Sequence, residues 1–222
     1  VMELVDGYTM GELLRRKGRV SEEDALIVTE SVALALDYAR SHYQMVHCDI
    51  KPDNIMVVPD PVAPGGERAK ILDFGIAKLA QGGPVKTALN LLMGTPRYMS
   101  PEQCRGASEV DAKTDVYSLG VMLYEMLAGR LPFEAEGSGD FLIMHVMQEP
   151  PPLLSQAPDT PPALASLIHA MLAKSPSDRP SAAEVARKLA ELSGARTTAS
   201  KAYAILPGER ADPADATEVL GD

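Results

Sequence analysis

Apolar residues along the chain follow two different rhythms. Ala25, Val28, Val32, Ala35, Leu36 and Ala39 recur every three or four positions, the spacing that lines one face of a helix. In front of them Ser21-Glu22-Glu23-Asp24 offers a cap and an acidic first turn, so a helix is predicted from there to about His42. Thr9-Met10-Gly11-Glu12 has capping-box spacing and predicts a short helix to about Lys17, stopped by Gly18. Over 111–129, Val116, Leu119, Val121, Met122, Leu123, Met126 and Leu127 leave almost no polar face. A helix apolar nearly all round belongs in the centre of a domain. Further helices are predicted within 140–148, over about 162–173 and over 181–192, the last with a capping box from Ser181 to Glu184. Gly137-Ser138-Gly139-Asp140 reads as plain loop.

The second rhythm is one of short runs broken by turn formers. Residues 1–5 stop at Asp6-Gly7 and read as a strand entering a turn. Residues 55–58 and 70–72 read as a hairpin whose loop is enlarged by the Pro/Gly-rich residues 59–66. Residues 75–101 carry no strong period and are expected to be irregular and exposed. Six prolines between Pro150 and Pro162 mark a connector, and after Ser193 the periodicity disappears into Ala, Thr, Pro, Gly and acids. The fold class is therefore α+β and predominantly helical, with one domain over 1–192 and a flexible tail or linker over 193–222.

With 222 residues, 45% apolar and 23% charged, the chain has the composition of a globular protein large enough to bury a core. Its net charge of -10 argues against nucleic acid as the main partner. Cys48 and Cys104 form no CxxC pair, so neither a zinc site nor a disulfide framework is indicated and a reducing compartment fits. There is no run of 18 apolar residues and no signal-like start, so a cytoplasmic chain without membrane contact is expected. Opening on Val in mid-strand, the sequence is expected to continue a chain that starts earlier.

The chemistry concentrates in His47-Cys48-Asp49-Ile50-Lys51-Pro52-Asp53-Asn54, followed by Asp73-Phe74-Gly75. One isolated Asp is usually a cap or a turn. Asp-x-Lys-x-x-Asn with Asp-Phe-Gly about two dozen residues on is a set of parts: a carboxylate to orient a hydroxyl, an amide oxygen and a second acid for Mg²⁺, and an ammonium to balance developing charge.

On these motifs the chain resembles the C-terminal lobe of a eukaryotic-like serine/threonine protein kinase of the bacterial type, from Val1 to about Leu192. The resemblance implies ATP and Mg²⁺ as cofactors and protein Ser or Thr as substrate. Asp49 would be the catalytic base, Lys51 would contact the transferred phosphate, and Asn54 and Asp73 would hold the metal. Glu3 and Val5 would meet adenine through their backbone at the hinge, with Met56 in the floor beneath the base. Gly94-Thr95-Pro96-Arg97-Tyr98-Met99-Ser100-Pro101-Glu102 is similar to the end of an activation segment, Thr95 lying near Asp49 and Lys51 and Glu102 pairing with Arg179. Asp115 would accept hydrogen bonds from the catalytic-loop backbone. His47 would pack against Phe74, while His42, His145 and His169 have no ligand-like spacing and are assigned to surface or helix packing.

Three departures stand out. Cys48 replaces the arginine that clamps an activation-segment phosphate in the family, so Thr87, the candidate for autophosphorylation through self-association, is expected to be a weak switch at most. Ser100 replaces an alanine, a change expected to be harmless. The N-lobe parts, namely the glycine-rich loop, the strand lysine and its glutamate partner, precede the hinge in the family. A chain starting at the hinge would expose Met2, Leu72 and Phe74 and be inactive alone. A pseudokinase or scaffold lobe is the alternative, and a small-molecule phosphotransferase is a second. The expected parent could be membrane-anchored through a segment outside this chain.

Overall fold

The computed structural model describes residues 7–63, 66–73, 96–106 and 110–194. A two-residue strand β1 (Tyr8–Thr9) leads into α1 (Met10–Lys17), and α2 (Glu22–Tyr43) follows. The hairpin consists of β2 (Ile55–Pro59) and β3 (Glu67–Ile71). Further along come α3 (Pro101–Cys104), α4 (Ala112–Ala128), α5 (Ser138–Met147), α6 (Pro162–Met171) and α7 (Ala182–Leu192).

Local chemistry explains most boundaries. Thr9 accepts from the Glu12 amide while Glu12 accepts from the Thr9 amide, a reciprocal cap that starts α1, and Gly18 at φ 76° ends it. Ser181 and Glu184 repeat the device at α7. The hairpin is longer than expected on the side of its loop, pairing Ile55 with Ile71 and Pro59 with Glu67. β1 joins it antiparallel, Tyr8 opposite Val57, giving a three-stranded sheet in the order β1-β2-β3. α5 begins two residues early: Gly137 is its N-cap, so Gly137-Ser138-Gly139-Asp140 is a helix start and not a plain loop. The strand expected at 1–5, the tail from 195, most of 75–101, Met2 and Phe74 lie outside the described residues. Leu72, expected on an exposed upper surface, is half-buried.

α4 is the axis of the molecule. Val116, Tyr117, Leu119, Val121, Met122, Leu123, Tyr124 and Met126 are buried, and α2 and α6 pack on it, with α7 against α2. Each such side chain removed from water contributes about 1.5–3 kcal/mol. A β-carbon at Gly120 would stand 2.9 Å from Met171 Cβ, so only glycine lets α4 and α6 approach this closely. Packed against α2 and α6, the buried helix offers a fixed base for the chain around it. Among the described residues no helix is long and apolar enough to cross a membrane.

Candidate active site

Residues 47–54 link α2 to β2 across the N-terminal end of α4. Asp115, in the first turn of α4 and 2% exposed, receives the His47 amide at 2.8 Å and the Cys48 amide at 2.7 Å. Burial pushes its carboxyl up to about 6, and the two amides pull against that shift. Cys48 has φ 65°, a left-handed conformation that a side-chain-bearing residue adopts only when its surroundings impose it. The restraint comes from both sides: Asp115 takes its amide, and Gln103 Nε2 donates to its carbonyl at 2.8 Å. His47 is fully buried, accepting from the Asp49 amide at Nδ1 and donating from Nε2 to the Leu72 carbonyl. That bond ties the loop to the end of β3.

The side chains that follow converge on one carboxylate oxygen. Lys51 Nζ lies 2.9 Å from Asp49 Oδ2, and Asn54 Nδ2 donates to the same atom at 3.1 Å and to the Asp49 carbonyl at 2.7 Å. With both amide hydrogens used in this way, the Asn54 side-chain oxygen is turned to the opposite side. The 3-10 turn Pro52–Asn54 sets this geometry, and the Leu72 amide donates to the Asn54 backbone carbonyl at 2.8 Å. Asp73, one residue on, is exposed and has φ 49°. An amide oxygen and a carboxylate are hard donors of the kind Mg²⁺ takes, and that ion commonly uses one or two protein oxygens with phosphates and water completing its shell. The donor set at Asn54 and Asp73 therefore fits the metal. No cluster of three or more His, Cys, Asp or Glu residues suited to a metal occurs among the described residues.

α1 closes the near side. A β-carbon at Gly11 would come 2.3 Å from Asp53 Oδ1, so glycine there permits α1 to lie against the Pro52–Asn54 turn, where Arg15 pairs with Asp53 at 3.0 Å. Met56 is half-buried on β2 opposite Thr9 and Lys70. Glu3, Val5, Thr95 and Thr87 lie outside the described residues.

The segment after residue 95 is anchored at several points. Tyr98 donates its hydroxyl proton to Glu125 at 2.6 Å and receives Ser118 Oγ at its carbonyl. Burial and the Glu125 charge hold the Tyr98 phenol protonated. Ser100 caps α3, a role for which its hydroxyl is better suited than the family's alanine. Glu102 and Arg179 form the expected ion pair, bidentate at 2.7 and 2.8 Å, and Thr114 adds a further hydrogen bond to Glu102. Although burial alone would raise it, the Arg179 and Thr114 hydrogen bonds bring the Glu102 carboxyl down to about 2. Arg179 spends its remaining donors on the Ala173, Lys113 and Lys174 carbonyls. Both cysteines are free thiols, and burial next to Glu102 pushes Cys104 up to about 12, which makes it a poor nucleophile.

Sequence reasoning missed three contributors here. β1 is too short to carry a period. Gln103 had no motif to mark it. His145, assigned to packing, is fully buried with both ring nitrogens engaged.

Comparison with known proteins identifies the family of the chain. The protein kinase domain family matches residues 1–189. The chain is 40% identical over 188 residues, 82% of its length, to the serine/threonine-protein kinase pkn3 of Myxococcus xanthus, of which it covers 34%. It is 40% identical over 179 residues to the serine/threonine-protein kinase PknA of Mycobacterium tuberculosis, covering 81% of this chain and 39% of that protein. The PknA of Corynebacterium glutamicum is 39% identical over 225 residues, all of this chain and 45% of the relative. The chain belongs to the protein kinase domain family. Within it, the chain is of the bacterial serine/threonine type. It spans between about a third and a half of the length of these relatives.

Proposed function

We propose that the protein carrying this chain transfers the γ-phosphoryl group of Mg·ATP to Ser or Thr of protein substrates, and that residues 1–192 supply the hinge and C-terminal lobe of its catalytic domain. The observation that carries this reading is the convergence of Lys51 and Asn54 on a single oxygen of Asp49, with Asp73 directly beyond the strand end bonded to Asn54. Asp49 accepts the hydrogen of the incoming hydroxyl and aims its oxygen. Lys51, already beside that carboxylate, places its ammonium where negative charge grows on the transferred group. Asn54 and Asp73 hold Mg²⁺ through their side-chain oxygens. Bound Mg·ATP supplies the electrophilic phosphorus and the neutralising charge. In this reading Met56 forms part of the floor of the nucleotide cleft, and the family motif assigns the adenine contacts to Glu3 and Val5. The family motif assigns Thr95 to the pocket for the substrate hydroxyl.

The anchored segment from Pro96 to Glu102 favours a peptide substrate over a small molecule, because a small acceptor needs no such docking ledge. The test is transfer of γ-labelled phosphate to a Ser/Thr peptide by the full-length protein with Mg²⁺, and to itself, mapped by mass spectrometry. Label on Ser or Thr, absent from Asp49→Asn and Asp73→Asn variants, is the expected result. A folded full-length protein that neither binds ATP nor transfers label would overturn the reading and leave a scaffold lobe.

A further inference from the structure

The segment Pro96–Tyr98 is a single 3-10 turn with too few internal bonds to hold its own shape. Its Tyr98 carbonyl and hydroxyl are fixed by α4, as described. The Arg97 carbonyl is met by His145 from α5, whose Nε2 lies 3.1 Å away. A carbonyl can only accept, so Nε2 carries the hydrogen, and in the neutral ring Nδ1 is then the acceptor for the Tyr117 hydroxyl at 2.9 Å. One buried imidazole thus joins the central helix α4, through its own helix α5, to the turn. Its ring is gripped edge-on by Phe133 at 5.1 Å and Tyr117 at 5.7 Å.

A second residue holds the helix that presents it. Lys174, half-buried, donates from Nζ to the His145 carbonyl at 2.9 Å and the Met144 carbonyl at 3.4 Å, in the last turn of α5, where a cation is favoured by the helix dipole. The same ammonium lies 4.7 Å from the Phe133 ring centre, a contact that adds to its hold. Burial and the neighbouring Lys174 charge lower His145 to about 4, which keeps the ring neutral and leaves Nδ1 to accept from Tyr117.

We propose that His145 is a positioning residue for substrate docking: its Nε2–H sets the Arg97 carbonyl, and with it the Pro96–Tyr98 turn against which the peptide is laid, while Lys174 fixes the helix that carries it. The proposal rests on the kinase reading above for its consequence on peptide binding, and on geometry alone for the order of the turn. His145 touches neither nucleotide nor reacting atoms, so its loss acts on peptide affinity and leaves the phosphoryl site intact.

Two near-isosteric replacements separate the roles of the ring nitrogens in the full-length protein. Gln reaches the ε position and keeps a donor for Arg97. Asn reaches only the δ position, keeping an acceptor for Tyr117 and losing the Arg97 bond. His145→Asn is expected to raise the KM for peptide about tenfold, the worth of roughly one hydrogen bond, with kcat and the KM for ATP within about twofold. Amide exchange over 96–100 should quicken by about the same factor. His145→Gln should stay within about twofold of the parent in every readout, whereas a merely structural histidine would make the two variants alike. Equal behaviour of Asn and Gln, or unchanged exchange over 96–100 in the Asn variant, overturns the proposal. If neither variant folds, Lys174→Met decides: about threefold in the same direction supports it, and parent-like exchange overturns it. If the parent protein transfers no phosphate to peptide, the kinase reading fails, and the exchange comparison still decides whether His145 orders the turn.

Discussion

Two carboxylate–cation pairs in this molecule share nearly the same bond length and sit in opposite surroundings. Lys51 and Asp49 meet at 2.9 Å with about a third and two fifths of their side chains exposed. Arg179 and Glu102 meet at 2.7 Å with 0% and 10% exposed. In the first pair water competes for both partners, so the attraction contributes little to folding and the groups stay available to a reactant. In the second every donor of the guanidinium is occupied and the carboxylate has a third bond from Thr114, so the pair is locked and its removal leaves a charge stranded in the interior. Distance does not separate an open pair from a locked one here. Solvent access and the number of further hydrogen bonds do.

That contrast can be broken by experiment. The largest effect is expected at the exposed pair, on rate alone: Asp49→Asn should lower phosphoryl transfer by about 10³-fold, in the range for removing a positioned base, with a melting temperature like that of the parent. Thermal destabilisation by this variant as large as that of an ion-pair variant would erase the distinction. At the buried pair, Arg179→Met should cost about 3–5 kcal/mol of stability by urea titration, and adding Glu102→Leu should recover part of it because no charge is then left unpaired.

The next effect sharpens the comparison at the link between the two regions. Asp115→Asn can still accept one loop amide but turns an NH₂ toward the other, so about 1–3 kcal/mol should be lost, and amide exchange at residues 47–51 should rise. Acid offers a smaller and more selective handle. The folded Glu102 carboxyl, near 2, lies below its ordinary value of 4.5, so the unfolded chain binds a proton first as pH falls. The stability it contributes is complete above about 4.5 and is lost as pH drops toward 2. In Glu102→Gln that part of the acid dependence should vanish from a stability–pH profile. Smallest of all, Cys48→Ser should change stability by less than about 0.5 kcal/mol and leave transfer unaltered, because the loop holds residue 48 through its backbone.

How much of this was legible beforehand depends on how local the cause is. Capping boxes at Thr9 and Ser181, the stop at Gly18 and the all-apolar stripe of α4 are written in adjacent residues and appear where expected. The pairing of Glu102 with Arg179 and the acceptance of loop amides by Asp115 followed from the family resemblance, and the geometry bears both out. The early start of α5 escaped because Gly137 offers no side chain to announce a cap. β1 escaped because its pairing is decided by Val57, some fifty residues away. His145 looked like an ordinary helix residue because its two partners, Arg97 and Tyr117, sit 48 and 28 positions off in sequence, and no spacing rule reaches that far.

The tether from Asp115 to the loop spans 68 positions from His47, and this has a consequence for synthesis. Asp49, Lys51, Asn54 and Asp73 all leave the ribosome before the residue that shapes their loop has been joined to the chain. At about 5–20 residues per second, several seconds pass in which all four side chains exist and the left-handed turn at Cys48 has nothing to hold it. The loop over 47–54 therefore stays unshaped until the central helix emerges and docks, so the order of translation itself delays its assembly until the helices beneath it are in place.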